Sequence, residues 1–69
     1  MKVKNEIIEM LRKNAELKRE LLYRMGWSEP TLYRHMRENS LNGDLTKVLP
    51  VKILAEGMGM PESEILTVE

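Results

Sequence analysis

Gly26, Trp27 and Ser28 are all that separate two runs of helical periodicity, and so short a connection leaves few folds open. Upstream, Leu17, Leu21 and Met25 recur at every fourth residue, which predicts a helix over about 15–25. Gly26 follows where a helix can end in the left-handed conformation without a Cβ penalty. Downstream, Ser28 is suited to cap free backbone N–H groups, and Pro30 is tolerated in a first turn because its missing N–H would have no partner there. Glu29, in the same turn, lies where the helix dipole favours negative charge. Leu32 and Met36, one turn apart, mark the inward face of this helix, and Asn39, Asn42 and Gly43 end it. Two helices joined by about three residues must cross steeply, as in a helix-turn-helix, with the second projecting outward and the first behind it. Glu29, Thr31, Tyr33, Arg34 and Arg37 then occupy the outward face.

The remaining periodicity is also helical. Val3, Ile7 and Leu11 predict a helix over about 3–13, with Ile8 and Met10 widening its apolar stripe. A fourth helix is expected over about 46–57, turning Leu49, Ile53 and Leu54 inward, with an irregular first turn or a start near Leu49 because of Pro50. Gly57 and Gly59 are expected to stop it, and Pro61, Glu62 and Glu64 to open a short turn that docks Ile65 and Leu66. Phe is absent and no alternating run is bounded by turns, so no strand is expected. The expected fold is all-α: a compact bundle of four to five helices forming one domain over residues 1–69.

A chain of 69 residues buries only about 60% of its unfolded surface, so stability needs a staple, close helix packing or a second copy. Cysteine is absent and His35 is the single histidine, which removes disulfides, thiolate zinc sites and most transition-metal ligand sets. No metal or other cofactor is expected. No apolar run nears the roughly 20 residues of a membrane span, and the first residues lack a signal peptide's apolar core. A soluble, cytoplasmic protein is therefore expected.

Net charge is zero, but it is unevenly spread. Residues 12–37 hold seven basic side chains against Glu16, Glu20 and Glu29, a net of +4, whereas residues 38–69 hold Lys47 and Lys52 against six acids, a net of −4. The short turn lies inside the basic part. That polarity favours an anionic partner for one half of the molecule.

The run ELLYRMGWSEPTLYRHMREN resembles the helix-turn-helix of the lambda-repressor-like group, which includes phage Cro and repressor domains. The group's leucine, small residue, glycine, apolar residue and serine or threonine fall here on Leu21, Leu22, Gly26, Trp27 and Ser28. Downstream, DLTKVLPVKILAEGMGMPESEIL is similar to the group's last helices, so the likeness spans about residues 5–66. Three positions depart from the pattern: Leu22 stands for the usual alanine between the helices, Trp27 for a medium aliphatic, and Pro30 stiffens the third helix. The resemblance implies sequence-specific binding of double-stranded DNA by a small Cro- or repressor-like transcriptional regulator of a prokaryote or phage, without a small-molecule ligand. It implies base reading by Ser28, Glu29, Thr31, Tyr33 and Arg34, and phosphate contacts from Lys18, Arg19, Arg37, Asn39, Asn42 and Lys47. An α-helix fits the major groove, where arginine forks onto guanine and glutamate accepts from the cytosine amino group.

One reading helix rarely supplies operator-level affinity, so a homodimer on a pseudo-palindrome is expected; Met58 and Met60 draw notice because an apolar surface near a chain end often serves dimerisation, though the sequence does not give the interface. Set against this is a protein-interaction module of the same fold, which zero net charge favours. An enzyme is not expected: His35 has no nearby nucleophile to serve, and the GMG stretch lacks the lysine and flanking strand of a phosphate loop.

Overall fold

Ile7 and Leu11 share a buried stripe with Val3, but Val3 belongs to a strand rather than to the first helix. The computed structural model describes residues 1–68. Among these the order is β1 (Lys2–Val3), α1 (Asn5–Arg12), α2 (Ala15–Met25), α3 (Glu29–Glu38), a 3-10 turn (Asp44–Thr46), α4 (Val48–Met58), a second 3-10 turn (Glu62–Glu64) and β2 (Leu66–Thr67). The fold is all-α apart from one two-stranded antiparallel sheet, in which Lys2 faces Thr67 and Val3 faces Leu66. The Lys4 N–H donates to the Ile65 carbonyl at 3.0 Å and extends the pairing by one bond. The expectation of no strand is thus corrected: two residues at each end are too few to carry a periodic signal.

One core holds the helices together. Ile7, Ile8 and Leu11 of α1, Leu17 and Leu21 of α2, Leu32 and Met36 of α3, and Val51, Ile53, Leu54 and Ala55 of α4 are all buried with Val3, Leu45 and Ile65. Each helix end has a local cause. Asn14 caps α2, its side-chain oxygen accepting the Leu17 N–H at 3.0 Å. Gly59 closes α4 in the left-handed conformation, and the next N–H, of Met60, reaches back to the Ala55 carbonyl at 3.1 Å.

The expected start of α4 near Leu49 holds: the helix begins at Val48, with Pro50 in its first turn, after the 3-10 turn. Two other expectations for α4 need correction. Leu49 is 40% exposed, and Val51 is buried with Ile53 and Leu54. Gly57 does not stop the helix but lies inside it, where α2 crosses so closely that a Cβ would overlap Leu17 Cδ1 and stand 3.1 Å from Cδ2.

Candidate nucleic-acid interface

Gly26 adopts φ 70° and ends α2, and both its own N–H and that of Trp27 bond to the Leu22 carbonyl. A helix closed this way commonly packs the residue after the glycine against the one whose carbonyl it caps. Trp27 and Leu22 are accordingly both half-buried against the core. Trp27 also packs on His35 of α3, ring centroids 4.8 Å apart and tilted 55°. The indole thus forms the hydrophobic lid of the turn. His35 lies at the boundary, with Nε2 3.2 Å from the Asp44 carboxylate.

Ser28 caps α3. Its Oγ accepts the Thr31 N–H at 3.4 Å and lies 2.9 Å from the Thr31 hydroxyl. Both hydroxyls therefore support the helix start, with Pro30 beside them in the first turn. Glu29, Arg34 and Arg37 are exposed, and Tyr33 is 44% exposed.

Between α2 and α3 lies a cleft of about 160 Å³, lined by Ala15, Lys18, Arg19, Leu22, Glu29, Leu32 and Tyr33. Leu22, a branched side chain, forms part of the wall of this cleft. Two expected phosphate groups (Lys18 and Arg19) and two expected base readers (Glu29 and Tyr33) line this one cleft. Lys18 Nζ donates to the Arg12 carbonyl at 3.0 Å and to the Tyr33 hydroxyl at 3.5 Å. It lies 5.4 Å from the Tyr33 ring centroid, so the contact is with the hydroxyl edge more than with the ring face.

Ion pairing sorts the basic segment. Glu9 holds Arg12, and Glu20 and Glu56 hold Arg24 at the back of α2. Among the described residues, Lys13, Lys18, Arg19, Arg34 and Arg37 have no carboxylate within 4.0 Å. Such surface pairs contribute little to stability. They decide instead which cations remain uncompensated toward solvent, and these lie on α2, α3 and the α1–α2 junction.

Two of the residues expected at phosphate are engaged within the chain. Asn39, left-handed at φ 39°, donates from Nδ2 to the Val3 carbonyl at 2.7 Å. Asn42, at φ 56°, accepts from the Met1 ammonium at 3.0 Å and donates its backbone N–H to the Met1 carbonyl. Together they close the edge of β1 that β2 leaves open. Their sequence signal was the loop composition; their role was invisible because β1 was. Asn39→Ala is expected to cost about 2 kcal/mol, combining left-handed strain with an orphaned Val3 carbonyl. Asn39→Gly, which relieves the strain alone, is expected to cost about 1 kcal/mol. Urea midpoints at an unchanged slope are the measurement. Lys47 is exposed at the N-terminus of α4, where no side chain caps the first N–H groups.

Met58 and Met60 are half-buried against the core rather than forming a free apolar pair. The exposed apolar side chains in the second half of the chain include Leu41, Val48 and Leu49, which bracket the Asp44–Thr46 turn. No group of three or more metal-ligating side chains occurs among the described residues, and no helix there is long and apolar enough to cross a membrane. Compared with known proteins, the chain matches no family model, no curated sequence and no solved structure.

Proposed function

We propose that this chain binds double-stranded DNA as a small sequence-specific transcriptional regulator, with α3 in the major groove. One observation carries the reading: the cations left uncompensated in the basic segment flank a tight two-helix turn whose second helix is anchored from behind by Leu32 and Met36. Arg34, Tyr33 and Glu29 are the base-reading groups, with Ser28 and Thr31 holding the helix start beside them. Arg19, Arg37, Lys47 and the remaining donor of Lys18 meet phosphate, which positions the helix without reading sequence. Asn39 and Asn42 act indirectly, by fixing the loop that follows α3. A homodimer on a pseudo-palindromic site belongs to the same proposal, and exposed Leu41, Val48 and Leu49 support it better than the methionines do.

The test is a titration with duplex DNA at two salt concentrations. About four phosphate contacts per chain predict a loss of roughly a hundredfold in affinity between 50 and 200 mM salt. No binding at the lower salt would overturn the reading and leave the protein-interaction alternative. Selection from a random duplex pool then gives the site, and its symmetry tests the dimer.

A further inference from the structure

The cleft between α2 and α3 is small, with an apolar part and a charged part to its lining. Its volume of about 160 Å³ falls well below the roughly 300–1,000 Å³ of pockets that hold whole small molecules. It fits instead one group projecting from a larger ligand. Ala15, Leu22 and Leu32 supply the apolar part. Ala15 is exposed and Leu22 only half-buried, so a ligand reaches them without opening the core. Lys18 and Arg19 line the same cleft and have no carboxylate within 4.0 Å among the described residues. Glu29 and Tyr33, one turn apart on α3, border it from the other side.

With α3 in the major groove, this cleft stands beside the bases that Glu29 and Tyr33 face. A phosphate suits Lys18 and Arg19 but not the apolar lining, and a polar base edge buried against that lining would lose water without gaining a partner. One apolar group projects from the base edges into the major groove, the C5-methyl of thymine. Cytosine carries the same group at the same atom when it is methylated. We infer that the α2–α3 cleft receives the C5-methyl group of a pyrimidine, with Ala15 and Leu22 as the residues that select it. The inference rests on the DNA reading above and deepens it, because it gives α2 a part in specificity. Glu29 can accept from the amino group beside the methyl of 5-methylcytosine, whereas Lys18 and the Tyr33 hydroxyl can donate to O4 beside the methyl of thymine. The lining therefore suits either source of the methyl group.

Selection from a random duplex pool supplies a bound site, and methyl groups are then removed or added one at a time, with the whole chain as the binder. Deoxyuridine in place of one thymidine is expected to weaken binding about fourfold, or 5-methylcytosine in place of one cytosine to strengthen it about fourfold, the effect of burying one methyl group. The first result identifies thymine as the source, the second methylated cytosine. Ala15→Leu fills the cleft from its exposed side and should abolish that methyl effect while salt-sensitive binding persists. Leu22→Ala removes part of the apolar lining and should reduce the effect. Thermal unfolding confirms that each variant is folded; should Leu22→Ala fail to fold, Ala15→Leu, at an exposed position, carries the test alone. If no position responds to methyl removal or addition, or if the response survives Ala15→Leu in full, the inference fails while the DNA reading stands. Absence of salt-sensitive duplex binding in the unaltered protein overturns both.

Discussion

Leu54→Ala is expected to remove a large share of this domain's stability. Leu54 has no exposed surface, and its helix, α4, packs more extensively on α2 than on any other helix. Truncating a buried leucine costs about 3–5 kcal/mol, the lost transfer energy plus the cavity left behind. At roughly 0.05–0.15 kcal/mol per residue, a domain of this size holds only about 3–10 kcal/mol in total. The corresponding drop in Tm is roughly 15–30 °C, read by circular dichroism. Two comparisons make the result specific. Val48→Ala, on the same helix but 81% exposed, should shift stability by no more than about 0.5 kcal/mol. Leu54→Met, which nearly conserves volume, should cost less than about 1.5 kcal/mol. If all three variants melt together, α4 is not part of the cooperative core.

The four helices and most of their buried faces were legible in the sequence; the short strands were not. Every fourth residue from Val3 to Leu11 is buried, as the spacing implies, although Val3 reaches the core from a strand and not from a helix. A two-residue strand is chosen by its partner, here Leu66 and Thr67 at the far end of the chain, and no local pattern can report that. Gly57 shows the converse. Read locally, a glycine near a helix end is a stop; in the fold it is the place where α2 passes too close for a Cβ. The turn itself was the most legible part, because Gly26, Ser28 and Pro30 act through backbone conformations and bonds that span a few residues. For the candidate site the limit was side-chain partnering. Nothing in the spacing of Lys18 and Tyr33 joins them, and nothing in the loop composition says that Asn39 and Asn42 face β1.

The paired substitution Arg34→Glu with Arg37→Glu is expected to abolish DNA binding while leaving the fold intact. Neither guanidinium has a carboxylate within 4.0 Å among the described residues, and both side chains are exposed, so the change in stability should stay within about 0.5 kcal/mol per site. Binding should respond differently. Arg34, on the reading face, is worth about 1–3 kcal/mol when it forks onto guanine, and losing a single phosphate contact at Arg37 lowers the salt slope by about 1. Reversal also places two carboxylates against phosphate, so the loss should exceed about a hundredfold, beyond the sum of the two truncations. The truncations separate the roles. Arg34→Ala should weaken binding unevenly among base-substituted duplexes, whereas Arg37→Ala should weaken all of them alike. Equal affinity of the doubly reversed chain and the unaltered one, at unchanged Tm, would place the DNA-binding surface somewhere other than α3. A solvated basic helix with no DNA role predicts that equality, which is why the double reversal separates the two accounts more sharply than either alanine variant.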